Sequence, residues 1–117
     1  EFACKLAGTK LIIVLGHTAC GAIKGACDDA KLGKLTGMLD KIKPAVRAIT
    51  LPTDASLRNS SNIEFVNAVA AKNVQLTIDK ILADSEVLAE MQHKGEIKII
   101  GGMYDIQTGV VAFYEEN

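Results

Sequence analysis

The fold of this chain is decided by residues 10–24, which read KLIIVLGHTACGAIK. Their apolar part, Leu11 to Leu15, has the continuous Leu/Ile/Val composition of a parallel strand that is buried on both faces. Gly16 is expected to end this strand, and the small residues of 18–22 suit a tight turn into a helix. Residues 17–20 are therefore expected at the carboxyl end of a buried strand, where open α/β sheets bind their ligands.

The remaining segments predict more helices than strands. A helix over 1–7, closed by Gly8, precedes the strand, and apolar residues recur at helical spacing over 31–49, where Pro44 divides two helices. A loop is expected over 50–59, followed by a capping box at Ser61 and Glu64 and a long helix to Ile81. A short helix capped by Asp84 and closed by Gly95 comes next. The chain is expected to finish with a strand from Ile97 to Met103, a hairpin partner from Val110 to Tyr114, and a frayed tail over 115–117. The sheet is narrow for so many helices, so something that completes it is expected to be missing.

Composition places the chain in one soluble globular domain spanning residues 1–117. The chain has 49% hydrophobic and 23% charged residues, a formal net charge of -1, and 13 Lys and Arg scattered along its length. Scattered charge favours neither a nucleic-acid-binding face nor a polybasic membrane patch. The longest apolar run, Leu11 to Leu15, is far shorter than the ~18 residues of a membrane span.

Cysteine content and the first residue bear on cellular location. The three cysteines are an odd number and lack the dense pattern of a secreted disulfide scaffold, so a reducing, cytoplasmic setting is expected. The sequence begins with Glu1 rather than Met, inside a predicted helix, so the natural start is expected upstream. A targeting segment in that upstream region stays an open alternative.

His17 and Cys20 are the candidate metal ligands, because an imidazole nitrogen and a thiolate sulfur are donors that zinc favours. A His and a Cys three residues apart also occur by chance, so the spacing alone leaves a structural role open. Their setting at a strand end, between two glycines, favours a metal site. Cys27 is expected roughly 10 Å along the next helix. Cys4 precedes a strand of roughly 20 Å, so both are expected to be small core residues rather than a third ligand.

The sequence disfavours two other chemical interpretations of the turn. A thiol at a helix N-terminus can act as a nucleophile, but phosphatases built this way need an arginine six residues later, where this chain has Ala26. The loop also matches neither glycine-rich nucleotide-binding motif. Elsewhere, Tyr104 and Asp105 are expected to build the terminal turn, although the Asp105 carboxylate could also serve as a base. His93 is expected to be a solvated residue near a helix end.

Residues 11–22 resemble the zinc-binding strand and turn of the β-class carbonic anhydrases, whose motif runs Val-x-Gly-His-x-x-Cys-Gly-Ala. Asn73-Val74 and residues 99–111 resemble the closing helix, strand and Tyr-Asp-x-x-Thr-Gly hairpin of the same family. The resemblance extends over essentially the whole chain and corresponds to the C-terminal two thirds of a family member. It implies an α/β fold with a mainly parallel sheet flanked by helices and a C-terminal edge hairpin.

The resemblance also implies an activity, the reversible hydration of carbon dioxide to bicarbonate by a zinc-dependent carbonate dehydratase, a lyase. His17 and Cys20 would hold Zn²⁺, which lowers the pKa of its bound water so that hydroxide forms and attacks carbon dioxide. Gly21, in the substrate pocket, would let the helix start approach the site without a side chain in the way. The family is built from dimers, which implies a homodimer or higher homo-oligomer.

The chain departs from the family in one respect, because it has no Cys-x-Asp-Ser-Arg segment. In the family this upstream segment supplies the remaining zinc cysteine and an Asp-Arg pair that governs the fourth zinc position, and its region supplies further strands of the sheet. Two hypotheses stay open. The parent protein is a carbonic anhydrase completed by that segment, or the chain is a truncated, inactive homologue that acts as an oligomerising or vestigial zinc-binding module.

Overall fold

The structure, a computed structural model, describes residues 1–114, so the tail predicted at 115–117 lies outside the described residues. Six α-helices, one short 3₁₀ helix and three strands make up this part of the chain. In chain order they are α1 Phe2–Lys5, β1 Leu11–His17, α2 Gly21–Cys27, α3 Gly33–Asp40, α4 Lys43–Ala48, the 3₁₀ helix Ala55–Leu57, α5 Ile63–Asp84, α6 Glu86–His93, β2 Lys98–Tyr104 and β3 Val111–Phe113. Among residues 1–114, no helix combines the length and apolarity needed to cross a membrane.

The three strands form one mixed sheet in the order β1-β2-β3. β1 and β2 run parallel, in register from the pair Leu11 and Lys98 to the pair His17 and Tyr104. β3 pairs antiparallel with β2 and lies at the edge, as a hairpin partner. The predicted α/β class and the edge hairpin are confirmed.

One face of the sheet is covered by α5, which packs very closely against it. A Cβ atom at Gly16 would lie 2.8 Å from Cγ2 of Val74, and one at Gly101 would lie 2.8 Å from Cγ1 of the same side chain. Both positions therefore require glycine for steric reasons. The prediction that Gly16 ends the strand was wrong, since β1 continues through Gly16 to His17.

The opposite face of the sheet is open to solvent within the described part of the chain. Leu11, Ile13 and Leu15 alternate along β1 with the residues that face α5, and 45–51% of each is exposed. The prediction that β1 is buried on both faces was therefore wrong for this chain. A continuous apolar run favours burial on both faces, but burial requires a second layer that residues 1–114 do not provide.

The core has two clusters that meet along α5. The first lies between the sheet, the second half of α5 and α6, and contains Cys4, Val74, Ile78, Leu88, Met91, Ile97 and Ile99. The second lies between the first half of α5, α2 and α4, and contains Ile23, Ala45, Phe65, Val66, Val69 and Ala70. α5 therefore holds both the sheet and the helix that follows β1.

The helices α5 and α6 begin at side-chain caps, as the sequence predicts, but a neighbouring residue provides each cap. Asn62 rather than Ser61 caps α5, since its Oδ1 accepts the N–H of Phe65 at 3.4 Å. Ser85 rather than Asp84 caps α6, through a 3.1 Å bond from the N–H of Leu88. The two helices predicted over 31–49 are confirmed as α3 and α4, and Pro44 lies in the first turn of α4, where its missing N–H breaks no helical hydrogen bond.

Candidate metal centre

The segment from His17 to Cys20 forms a single turn that joins β1 to α2. His17 is the last residue of β1, and Cys20 is the residue that caps α2 in extended backbone geometry (φ -68°, ψ 125°). The Cys20 side chain makes no capping hydrogen bond. Its sulfur is therefore not used to satisfy the helix start.

The His17 ring is held in one tautomer by its own turn. Nδ1 donates to the carbonyl oxygen of Thr18 at 2.8 Å, and the direction is fixed because a carbonyl only accepts. In the neutral ring Nε2 then keeps its lone pair, and this is the form of imidazole that binds a metal. The side chain is exposed at the uncovered face of the sheet.

Two other elements fix the turn from outside. The N–H of Thr18 donates to the carbonyl of Tyr104 (2.9 Å), and Thr18 Oγ1 accepts the N–H of Ile106 (3.1 Å). The N–H of Ala19 donates to Oδ1 of Asn67 on α5 (3.0 Å). Sequence reasoning missed Thr18 and Asn67 as supports of the turn, because these contacts bridge 88 and 48 residues and leave no local signal.

The hairpin that holds Thr18 is built by Asp105. Its carboxylate accepts the N–H of Gln107 at 2.8 Å and that of Thr108 at 3.4 Å, and its carbonyl accepts the N–H of Gly109. This is an Asx turn followed by Gly109 in left-handed geometry (φ 76°). Asp105 therefore builds the terminal turn, as predicted, and its carboxylate is occupied there.

Of the other two cysteines, Cys4 is buried in the core, as the sequence predicted, and Cys27 is partly buried beside it. Cys4 is 5% exposed in the first cluster, and Cys27 packs against the second. Burial, with a smaller effect of the Asp28 carboxylate, raises the pKa of Cys27 to about 11, so this thiol stays protonated at neutral pH. Within residues 1–114, no three His, Cys, Asp or Glu side chains cluster as metal ligands.

His17 and Cys20 fit two positions of a zinc site. An imidazole that bonds only through Nδ1 and a thiol outside any capping bond are the donor types of a site with nitrogen and sulfur ligands. The turn brings both residues to the same end of the sheet. That they bind one ion stays a prediction.

The surroundings of Gly21 are open. A Cβ atom there would meet nothing within 4 Å in the described residues. Two surface clefts lie away from the turn, one lined in part by Gln75 and Ile99 and the other in part by Ile42 and Thr77. The role of Gly21 in a substrate pocket also stays a prediction.

Comparison with known proteins gives a consistent family. A family model described as carbonic anhydrase matches residues 1–111. Carbonic anhydrase 2 of Mycobacterium tuberculosis is 25% identical over 114 residues, which cover 93% of this chain and 51% of that protein. A carbonic anhydrase of Synechocystis is 31% identical in an alignment 122 positions long, which covers 98% of this chain and 42% of that protein.

Solved structures agree with the sequence comparison. The β-carbonic anhydrase CafA of Aspergillus fumigatus has a TM-score of 0.80 at 30% identity, over 98% of this chain and 53% of that one. A tetrameric β-carbonic anhydrase from Sordaria macrospora has a TM-score of 0.76 at 26% identity, over 99% of this chain and 57% of that one. The chain thus spans about half the length of these relatives, less than the two thirds expected from the sequence. Because the family model matches residues 1–111 and these structures share the fold, the chain belongs to the β-carbonic anhydrase family.

Proposed function

We propose that the protein to which this chain belongs is a zinc-dependent carbonate dehydratase that hydrates carbon dioxide reversibly to bicarbonate. The observation that carries the proposal is the turn after β1. There His17 keeps Nε2 available by donating Nδ1–H to Thr18, and Cys20 has a thiol without a capping role. Membership of the carbonic anhydrase family supports the same activity.

In this proposal, each of several residues of the chain has its own role at the metal site. His17 would contribute a neutral nitrogen and Cys20 a thiolate, while Gly21 would leave room beside them for a small substrate. Zinc, when bound, supplies a water of lowered pKa, which is the nucleophile that carbon dioxide hydration needs near neutral pH. Thr18 and Asn67 would keep the turn in place.

A third donor would come from outside residues 1–114. A catalytic zinc generally has three protein ligands, and the described residues hold no cluster of three candidate donors. By resemblance to the family, a Cys-x-Asp-Ser-Arg segment would supply the missing thiolate and an Asp-Arg pair. That segment would belong either to a longer form of this chain or to a second polypeptide.

The experiment compares the 117-residue chain with and without such a segment. Alone, the chain is expected to bind zinc weakly and to hydrate carbon dioxide no faster than a protein-free zinc control in a stopped-flow assay. With the segment, zinc content and rate should rise together. Cys20→Ser should then abolish both, whereas Cys27→Ser, in a cysteine whose thiol stays protonated, should leave both unchanged. Full activity of the chain alone would contradict this assignment of ligands.

A second candidate function is an inactive module that assembles with other copies and retains part of a metal site. The observation that favours it is the uncovered apolar face of the sheet, where Leu11, Ile13 and Leu15 are half exposed. If adding the segment restores zinc binding but not the rate, this candidate replaces the first. Self-association belongs to both candidates, and a relative from Sordaria macrospora is described as tetrameric.

We also propose a cytoplasmic location. Its support is that Cys4, Cys20 and Cys27 are all free thiols, which is usual in a reducing compartment. Fractionation of cells that express the full-length protein, with detection in the soluble cytoplasmic fraction, tests it. Recovery in an oxidising or secreted fraction would contradict it.

A further inference from the structure

Ala19 has an unusual backbone conformation at the centre of the turn from His17 to Cys20. Its φ is 51°, in the left-handed region that a residue with a Cβ atom seldom occupies. The residue lies between the two candidate ligands, so its conformation sets the direction in which the chain travels from His17 to Cys20. If Ala19 left the left-handed region, one candidate ligand would move relative to the other.

The chain on either side of Ala19 is already anchored. Thr18 is bonded through both its N–H and its Oγ1 to residues of the β2–β3 hairpin. The carbonyl of Cys20 accepts the N–H of Lys24 at 2.9 Å and so begins α2. The peptide between these anchors is held by Asn67, whose Oδ1 accepts the N–H of Ala19 at 3.0 Å.

Asn67 is placed on a rigid part of the molecule. Its neighbours Phe65 and Val66 are 2% and 0% exposed in the second core cluster, which fixes the first turns of α5. The Asn67 side chain is partly buried, and the bond to Ala19 identifies its oxygen, because a backbone N–H only donates. A rigid helix thus supports a strained turn 48 residues away.

We propose that Asn67 is a positioning residue of the metal site. By accepting the N–H of Ala19 it holds that residue in the left-handed region, so that His17 and Cys20 are presented to one ion from a preformed turn. The inference rests on the proposed function, since it assumes that these two residues bind a metal. Supports of this kind, which orient ligands without touching the metal, commonly affect metal affinity.

The test uses substitutions that separate the hydrogen bond from the fold. Asn67→Leu removes the acceptor at similar size, and Asn67→Asp keeps an oxygen acceptor in its place. Ala19→Gly, added to Asn67→Leu, removes the Cβ atom that makes the left-handed conformation unfavourable. Co²⁺ is titrated into the 117-residue chain and its variants, each supplied with the Cys-x-Asp-Ser-Arg segment, and the thiolate-to-cobalt absorption band is measured.

The expected result is a dissociation constant for Co²⁺ roughly 10-fold higher in Asn67→Leu than in the unsubstituted chain. Asn67→Asp should stay close to the unsubstituted value, and the Ala19→Gly addition should recover much of the loss. Independently of any metal, amide hydrogen exchange at Ala19 should be roughly fivefold faster in Asn67→Leu. Circular dichroism checks that the helices of each variant are retained.

Several outcomes would overturn the proposal. Unchanged exchange and backbone chemical shifts over 18–20 in Asn67→Leu would show that Asn67 does not hold the turn. A changed turn with unchanged Co²⁺ affinity, or an Asn67→Asp variant as weak as Asn67→Leu, would show that the turn does not position the ligands through this bond. A variant that fails to fold is replaced by Ala19→Val, which disfavours the left-handed region with Asn67 intact and should weaken Co²⁺ binding. If the unsubstituted chain gives no cobalt band even with the Cys-x-Asp-Ser-Arg segment supplied, the proposed metal site is contradicted. The exchange rate would still decide whether Asn67 restrains Ala19.

Discussion

At Gly16 the approach of α5 to β1 leaves no room for a side chain. Gly16→Ala should lower the free energy of unfolding by ~1–3 kcal/mol, the usual cost of an overpacked core. The new Cβ atom would lie 2.8 Å from Cγ2 of Val74 and 3.1 Å from Cε of Met103. Urea unfolding followed by circular dichroism measures the change.

Gly37 is the matched control for this substitution. It lies within α3, and a Cβ atom there would meet nothing within 4 Å in the described residues. Gly37→Ala should therefore raise the free energy of unfolding by ~0.5–1 kcal/mol, since alanine favours a helix more than glycine does.

Val74→Ala should lower the free energy of unfolding less in the Gly16→Ala background than alone, because it removes the clash with the new Cβ atom. Equal costs in the two backgrounds would mean that α5 moves aside freely.

The Cys27 thiol offers a prediction about pH. Burial, the largest cause, and the Asp28 carboxylate raise its pKa from 9.0 to about 11, while Arg58 lowers it to a smaller extent. Alkylation of Cys27 by iodoacetamide, followed by peptide mass spectrometry, should therefore have a pH midpoint near 11, since the thiolate is the reactive form.

The same pKa affects stability in a defined direction. Because the folded protein holds the Cys27 proton more tightly than the unfolded chain does, the contribution of this group is fully present below pH 9. It is lost as the pH rises from 9 to about 11. Compared with Cys27→Ala, the unsubstituted chain should thus lose more stability over this interval. A midpoint near 9 in the alkylation experiment would show that the thiol is not shielded in solution.

At the level of elements, the start of α5 offers two neighbouring candidates for the helix cap, Ser61 and Asn62. Asn62→Ala should lower the free energy of unfolding by ~1 kcal/mol, because Oδ1 of Asn62 accepts the N–H of Phe65. Its amide also donates to the carbonyl of Leu57 at 2.9 Å, which ties the helix start to the preceding loop. Ser61→Ala should change stability little, and thermal unfolding compares the two. The opposite order would support the capping box predicted from the sequence.

The order of the helices could be predicted from the sequence, but their caps could not. Apolar periodicity is a local property and located α5 and α6 well. Residues 59–62 read Asn-Ser-Ser-Asn, so four consecutive residues are all good caps. Which of them is used depends on where Phe65 and Val66 are fixed in the second core cluster, and that is a tertiary contact.

The candidate site shows the same division between local and distant information. His17 and Cys20 were identified because their residue types and spacing are local and carry a metal chemistry. The restraint of Ala19 by Asn67 was not identified from the sequence. The two residues are 48 positions apart, and no local pattern indicates that they are in contact. The exposure of β1 was also missed, since an apolar run does not tell how many layers surround a sheet.

At the scale of the whole molecule, one face of the sheet is left uncovered by residues 1–114. Leu15 and Phe113 flank Gly102 so closely that a Cβ atom there would lie 3.2–3.3 Å from each side chain, which makes this part of the face continuous. Apolar side chains that are 45–56% exposed cover it: Leu11, Ile13, Leu15 and Phe113. Clustered exposed apolar side chains in a protein of this size usually mark an interaction surface.

We therefore expect the 117-residue chain to form a homo-oligomer at micromolar concentration, with this face at the contact between copies. Ile13→Lys places a charge in the centre of the face and should shift the equilibrium toward monomer, because burying an unpaired ammonium group is costly. Leu57→Lys is the matched control, since Leu57 is 49% exposed in the 3₁₀ helix, away from the sheet, and it should leave the mass unchanged. Light scattering coupled to size-exclusion chromatography measures both variants over a range of concentrations.

A stable monomer of the unsubstituted chain at micromolar concentration would count against assembly. An oligomer that Ile13→Lys leaves intact would place the contact elsewhere, and the unpaired edge of β1 in the described sheet would then be the next surface to substitute.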